Sequence, residues 1–302
     1  RLGTWLAEAH RAGARAALAA DDPLQARARL RASLETEDSP LGRALWLSLA
    51  RSPTVWRKRF AAAIYGVAFA PDDRTVAAVG QDGAAYLIDL ATGATRTLHG
   101  GDQLFAVAFA PGGARLAAGA WNGTLSIWDL ATGAVQRLPG HVGLITGVAW
   151  RGDDELVSSG ADGTLRRWDP STGAERARWT IGEELTGLAV EGAIAITTSP
   201  DDRVRRWQLE GGASTVIATI AATSVALDHG LVAIGGQDGT ILLVPATGGA
   251  ARALGTHAGR ISTLALAGDR LVSADVGGAM HVWDRATGRE LRALAGRSQR
   301  RT

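Results

Sequence analysis

From residue 61 onward the chain alternates between short apolar runs and short polar turns. The stretch from His141 to Trp179, HVGLITGVAWRGDDELVSSGADGTLRRWDPSTGAERARW, shows the pattern most plainly. An apolar run leads to a turn at Arg151-Gly152-Asp153-Asp154, then a second run and a tight turn at Ala161-Asp162-Gly163. A third run ends in Trp168-Asp169, before a turn at Thr172-Gly173. Runs of this length, bounded by Gly and Asp, predict three short β-strands and a fourth that leads into the next unit.

The unit recurs six times. The position of Asp162 is taken in turn by Asp82, Asn122, Asp162, Asp201, Asp238 and Gly277, at intervals of 37 to 40 residues. The position of Trp168 reads Ile88, Trp128, Trp168, Trp207, Val244 and Trp283. The first strands read IYGVAF, LFAVAF, ITGVAW, LTGLAV, ATSVAL and ISTLAL. The period, the Asp-Gly turn and the Trp-Asp pair together resemble the WD-repeat family of β-propellers. That resemblance implies an all-β propeller in which each copy gives three strands and the outer strand comes from the start of the next copy. Outer strands are then expected at 95–98, 135–138, 175–179, 215–218, 251–254 and 290–294. Six repeats in six blades are predicted, with an incomplete seven-bladed ring as the alternative.

Residues 1–52 read as a short helical lead-in, 53–296 as the propeller and 297–302 as a basic tail. Leu2 to Ala20 is rich in Ala, Arg and Leu, all good helix formers. Asp21-Asp22-Pro23 ends that helix and starts a second, running to about Leu34. Ser39-Pro40 starts a third, with Leu41, Leu45, Trp46 and Leu49 on one side. Thr54 to Phe60 alternates apolar and polar residues, which predicts a strand at 55–60. It would be a seventh outer strand: a competitor of 290–294 in a six-bladed ring, or part of a further blade in a seven-bladed one.

Composition narrows the function classes. At 46% hydrophobic and 21% charged, the 302-residue chain has the balance of a folded core. With no cysteine it has no disulfide, zinc–thiolate site or catalytic thiol. Its only methionine is Met280, so a chain starting at Arg1 is expected to be an excerpt of a longer protein. No apolar run reaches the length of a membrane span and no secretory signal is present. The segment is read as cytoplasmic and without membrane contact, with an anchor elsewhere in the full-length protein left open. Arginine and alanine richness suits a high-GC bacterial genome. Net charge is only +2. The basic spots, Arg57-Lys58-Arg59 and Arg297, Arg300 and Arg301, form no stripe, so nucleic acid is not an expected partner.

No catalytic residue, metal or cofactor is assigned. The chain has no G-x-S-x-G, P-loop or H-E-x-x-H motif, and its six histidines lack metal-ligand spacing. The WD resemblance implies instead that each unit can hold a hydrogen-bonded His, Ser or Thr, Asp and Trp. Only the third copy has all four: His141, Ser158, Asp162 and Trp168. The sixth has His257, Ser273 and Trp283, with Gly277 in place of the acid. The fourth has Thr197, Asp201 and Trp207 without a matching histidine. Copies three and six should be the better locked and copy five the loosest. His141, Ser158 and Asp162 mimic a catalytic triad, but their recurrence in other copies assigns them to the scaffold.

The resemblance also implies two rim positions per blade. One is the second residue of the first strand: Tyr65, Phe105, Thr146, Thr186, Thr223 and Ser262. The other precedes the turn acid, and reads Gln81 and Trp121 in the first two copies. Tyr65, Phe105, Trp121 and Gln81 thus form a candidate surface for a protein partner. The competing reading is that the aromatics pack on each other or under the helices. The expected function is a non-catalytic protein–protein interaction scaffold or sensor module. It resembles the C-terminal WD-repeat regions of large bacterial signalling proteins linked to Ser/Thr kinase or NTPase modules. Small-ligand sensing in the channel is the alternative, and an enzyme with axial acids or histidines is the less favoured one.

Overall fold

A computed structural model describes residues 2–19, 23–36, 43 and 58–294. The third helix expected from Ser39, apart from Arg43, and the tail 297–302 lie outside the described residues. So do positions 55–57 of the strand expected at 55–60; Lys58, Arg59 and Phe60 carry no regular structure. Two compact units are present, residues 1–61 with 91–93, and residues 62–90 with 94–302. In the first, α1 (Leu2–Ala19) packs on α2 (Pro23–Thr36). Ala7, Ala14, Ala26 and Leu30 are buried, and the Ser33 hydroxyl donates to the Ala7 carbonyl at 3.1 Å.

The second unit holds six four-stranded antiparallel sheets, each made of four consecutive strands. The first comprises β1 (Ile64–Phe69), β2 (Thr75–Gly80), β3 (Ala84–Asp89) and β4 (Thr95–His99). The second comprises β5 (Leu104–Phe109), β6 (Arg115–Ala120), β7 (Thr124–Asp129) and β8 (Val135–Pro139). The third comprises β9 (Ile145–Trp150), β10 (Leu156–Gly160), β11 (Thr164–Trp168) and β12 (Glu175–Thr180). The fourth comprises β13 (Gly187–Glu191), β14 (Ile194–Thr198), β15 (Arg203–Gln208) and β16 (Ser214–Thr219). The fifth comprises β17 (Ala222–Asp228), β18 (Leu231–Gly236), β19 (Thr240–Pro245) and β20 (Arg252–Thr256). The sixth comprises β21 (Ile261–Ala267), β22 (Arg270–Asp275), β23 (Met280–Asp284) and β24 (Glu290–Leu294). All six expected outer strands are present. These are the blades of a propeller, with the first strand of each facing the axis.

The core lies between blades. A sheet with apolar residues on both faces needs a neighbour on each side. Trp128 of the second blade packs on Leu87 and Leu98 of the first. Trp168 of the third packs with Leu125 and Ile127 of the second, and Trp207 of the fourth with Val157 and Leu165 of the third. Trp283 of the sixth repeats the arrangement against Ile241 and Leu243 of the fifth. Val244 stands in the tryptophan position of the fifth blade, where Ile217, Ile220 and Leu242 join the cluster.

Turn chemistry fixes the strand order. In the third copy Gly163 has φ +70°, a conformation that L side chains rarely adopt. A Cβ there would also lie 2.8 Å from the Glu183 carbonyl oxygen. At the opposite end the acid of each Trp-Asp pair ties down the next turn. Asp129 accepts from the Thr132 amide and hydroxyl at 2.7 and 2.8 Å, and Asp284 does the same for Thr287.

One feature of the inner strands positions the rim. In five blades the pairing of first and second strands slips at the second residue of the inner run. The residues at these bulges are Tyr65, Phe105, Thr146, Thr223 and Ser262. A bulge re-aims its side chain out of the sheet's alternation. In the fourth blade β13 starts later than expected, and Thr186 precedes it, its amide N–H donating to the Thr198 carbonyl at 2.9 Å.

Leu125 is fully buried between the second and third blades. Leu125→Ala should cost about 2–5 kcal/mol. Urea unfolding should show a lower midpoint with an unchanged slope; a loss near zero would mean that the junctions do not carry the stability.

Candidate functional site

The four candidate partner-binding residues lie on the first two blades. Tyr65 and Phe105 occupy the bulges of β1 and β5, and Gln81 and Trp121 are the first residues after β2 and β6. The Tyr65 and Phe105 rings stack at 4.3 Å between centroids with 9° between planes. Phe105 meets Trp121 at 5.4 Å and 41°. The three rings form one continuous run across two blades. Tyr65 nevertheless remains 41% exposed and Trp121 53% exposed. The backbone after β2 and β6 is pinned: the Trp121 amide donates to the Gln103 carbonyl and the Gln81 amide to the Ala63 carbonyl, at 2.8 and 2.9 Å. Stacking and exposure therefore coexist, and the run presents large apolar area from a fixed base.

The third copy brings His141, Ser158, Asp162 and Trp168 together. Trp168 Nε1 donates to Ser158 Oγ at 2.8 Å, and Ser158 Oγ lies 2.7 Å from His141 Nε2. His141 Nδ1 lies 3.0 Å from Asp162 Oδ1. An indole N–H can only donate, so the serine hydroxyl accepts it; burial favours the neutral imidazole, to whose Nε2 the hydroxyl then gives its own hydrogen. Nε2 is then unprotonated and Nδ1 carries the proton towards Asp162. The ring is neutral. Asp162 also accepts from the Val142 and Thr164 amides at 3.0 and 3.1 Å and from Arg166 Nη2 at 2.8 Å. Ser158 is completely buried and its oxygen is committed on both sides, so no substrate reaches it. The set locks strands and turn to one another.

Burial holds the His141 pKa below its ordinary 6.5, against the opposing pull of Asp162. Burial pushes the Asp162 carboxyl up, but the hydrogen bonds from His141, Thr164 and the Val142 amide outweigh it. The carboxyl stays well below the usual carboxylate range.

Residues 93–129 and 133–169 match the family described as WD domain, G-beta repeat. Each match runs from the outer strand of one blade through the three inner strands of the next, ending at Asp129 and Asp169. The fold is a WD-repeat β-propeller. The chain is similar to the solved structure of U3-55K, with 16% identity, a TM-score of 0.72, and coverage of 79% of this chain and 83% of that one. That likeness is one of fold alone. It is also similar to the computationally designed Ika8 protein, at 28% identity and a TM-score of 0.64, over 79% of this chain and 76% of that one. No curated protein matches the chain. Propellers of WD repeats generally act as protein-interaction scaffolds.

Three other repeats meet the same polar problem with different residues. In the sixth, Gly277 leaves the turn without an acid, yet His257 is not left without one. Asp275, two residues earlier at the end of β22, lies 3.2 Å from His257 Nδ1 and accepts from the Ala279 amide at 2.9 Å. His257 Nε2 and Trp283 Nε1 meet Ser273 Oγ at 2.7 and 2.8 Å, as in the third copy. The expected three-residue set is therefore four, with the acid displaced along the chain. In the fourth repeat Arg205 supplies what the missing histidine would: it pairs with Asp201 and donates to Ser199 Oγ at 2.8 Å. Trp207 Nε1 donates to Thr197 Oγ1 at 2.9 Å. In the first repeat the Tyr86 hydroxyl bonds Asp82.

The axial channel, a cavity of about 520 Å³, is lined by the inner strands of all six blades. Its polar side chains are hydroxyls, among them Thr146, Thr186, Thr223 and Ser262. These already donate inward: Thr223 Oγ1 to the Ile261 carbonyl at 2.6 Å, Ser262 Oγ to the Ala274 carbonyl at 3.0 Å. No acid or histidine is among the described lining residues. Away from the channel, Glu191, Asp228 and His229 lie within metal-ligand reach of one another. They tie loops together: Glu191 accepts from the His229 and Gly230 amides at 2.7 and 2.8 Å, and Asp228 from the Gly268 amide at 3.1 Å. Among the described residues no helix is long and apolar enough to cross a membrane.

Two outcomes are expected. Asp275→Ala should destabilise by about 1–3 kcal/mol, because it leaves a buried histidine without its acceptor. Asp238→Ala, in the fifth repeat where Thr240 is the side-chain partner, should cost less; equal losses in urea unfolding would contradict the assignment. The second concerns pH. The folded state disfavours the His141 proton, so the unfolded chain takes it up first and stability falls as pH drops below 6.5. Asp162 adds a loss of the same sign below 3.8. His141→Gln should start less stable at pH 7.5 and show a flatter decline to pH 5 than the wild type; a steeper decline would count against the neutral ring.

Proposed function

We propose that this WD-repeat propeller is a non-catalytic interaction platform whose partner surface is the aromatic run of Tyr65, Phe105 and Trp121, flanked by Gln81. The observation that supports this reading is the coexistence of stacking and exposure. Aromatic rings with fixed geometry and open faces lose little side-chain entropy on binding and supply large apolar area. The corresponding inner-strand positions of blades three to six carry Thr or Ser, so the surface is one-sided. A protein partner with an apolar anchor and a polar rim fits it. In its setting the domain is a scaffold or sensor module of a multidomain bacterial signalling protein, a reading that rests on the helical lead-in and the Ala- and Arg-rich repeats. Within such a protein it operates in the cytoplasm.

Trp121→Ala is the direct test. Proteins captured by the wild-type domain from its native host should be lost with the variant, while circular dichroism and the thermal midpoint stay within a few degrees. Unchanged capture would remove the surface from consideration. Unfolding of the variant would assign the tryptophan to packing instead.

A further inference from the structure

Two carboxylates flank the aromatic run where the first and second blades meet. The Gly100 amide donates to the Gly83 carbonyl at 2.8 Å, which lays the loop carrying Asp102 on the turn carrying Asp82. The next residue of that loop, Gln103, accepts from the Trp121 amide. On the other side of Trp121, the loop His141-Val142-Gly143 lies over Gly123, where an added Cβ would fall 2.0 Å from the His141 carbonyl oxygen. That loop leaves Val142 78% exposed. Tyr65, Phe105, Trp121 and Val142 thus mark an apolar track from the first blade to the third.

The charge beside this track is of one sign. Asp82 is exposed and Asp102 half-buried, and the exposed Glu183 and Glu184 stand in the loop that enters the next blade. Ion pairs at this end of the sheets go to other acids: Arg166 pairs with Asp162, and Arg203 and Arg205 with Asp201. Asp82 and Asp102 have no basic partner among the described residues. Asp82 accepts from the Ala84 amide at 3.1 Å and from the Tyr86 hydroxyl, and Asp102 from the Gln103 amide at 2.7 Å. The loops and turns of the track, residues 61–63, 81–83, 100–103, 121–123 and 140–144, hold no lysine or arginine. At the opposite end arginines answer several of the acids: Arg151 pairs with Glu210, Arg176 with Asp169 and Arg285 with Asp228. The whole chain carries +2, so the acidic flank is a local arrangement and not the average of the sequence.

We infer that the track takes an extended basic segment of a partner protein, with an arginine that stacks on an open ring face and pairs with Asp82 or Asp102. This rests on the aromatic run being the partner surface. Charge complementarity selects the occupant. A purely apolar segment would cover the two carboxylates and leave them without a counter-charge, which is costly. An acidic segment would add repulsion between like charges. A guanidinium meets both halves of the surface: its flat face stacks on the rings, and its fork of N–H donors fits a carboxylate. The apolar neighbours of that arginine in the segment then cover Tyr65 and Val142.

Peptide selection tests this. A displayed library of short random peptides is selected on the 302-residue chain and depleted on its Trp121→Gln variant. Gln81 and Gln237 already stand at that position in the first and fifth repeats, so the variant keeps the fold. Peptides that depend on Trp121 should be enriched in arginine and depleted in aspartate and glutamate relative to the library. Trp121-dependent peptides of neutral or acidic composition would overturn the inference and leave the partner surface standing. Recovery of no Trp121-dependent peptide would remove both. For the tightest selected peptide, synthesised and measured by fluorescence anisotropy, Asp82→Asn together with Asp102→Asn should weaken binding about tenfold. Asn122 holds the Thr124 amide at 3.0 Å as Asp82 holds that of Ala84, so the first substitution preserves its turn. Asp269→Asn, an exposed acid at the opposite end of the sheets, should leave binding unchanged. Equal affinity for the doubly substituted domain would overturn the inference. So would an equal loss with Asp269→Asn, which would show attraction to net charge without a seat.

Discussion

Each four-stranded sheet of this chain is apolar on two faces, and a single blade has nothing of its own to cover either. This constraint organises the molecule. It explains why the unit is repeated, since burial of one copy depends on the next. It explains why the tryptophan position points backwards to the preceding blade while leucine, isoleucine and valine point forward. It also explains why the largest buried side chains lie between sheets rather than within them. Met280 on the sixth blade and Phe69 on the first are the same residue types left exposed.

The polar groups answer a second problem created by the first. Packing blades face to face buries the tryptophan N–H and the turn amides, and each needs a partner. The third repeat meets this with a directed chain of donors: tryptophan to serine, serine to histidine, histidine to aspartate. Burial favours a neutral histidine, and with its proton on Nδ1 that histidine completes the chain in this direction. The sixth repeat reaches the same end with an acid placed two residues earlier, and the fourth with an arginine. Across these three repeats what is kept is an acceptor for the buried tryptophan N–H and a partner for the turn acid or histidine, rather than any one residue. The resemblance of the third set to a hydrolytic triad is geometric only, since its serine is sealed and already bonded.

Much of this was legible in the sequence, for a physical reason. Strand alternation and turn residues act locally, so the six inner runs, the Asp-Gly turns and all six outer strands could be placed from the chain alone. The third repeat's four residues fall at fixed offsets along adjacent strands and were equally readable. Asp275 was not, because its role depends on how the end of β22 folds back towards His257, and the turn position itself holds Gly277. Arg205 was hidden for the same reason: a charged residue in a strand reads as solvent-facing until Asp201 is seen beside it. The aromatic run was placed on the first two blades from its repeat positions. The bulges that aim Tyr65 and Phe105, and the 4.3 Å stacking between them, were not legible. Ring closure was the least accessible feature. Counting outer strands shows six complete blades, but the repeat does not encode the angle between one blade and the next.

A propeller whose rim carries aromatics on one side and hydroxyls on the other is an asymmetric surface built on a nearly symmetric scaffold. The scaffold's rigidity is what makes the surface useful, and that rigidity rests on neighbours at both faces. Native-state hydrogen exchange of the second strands tests this most directly, because these strands are hydrogen-bonded on both sides in every blade and differ only in lateral packing. The amides of β6, β10, β14 and β18 should exchange slowest and with similar free energies, and those of β2 and β22 measurably faster. Uniform protection from β2 to β22 would contradict the claim that lateral packing between blades holds the fold.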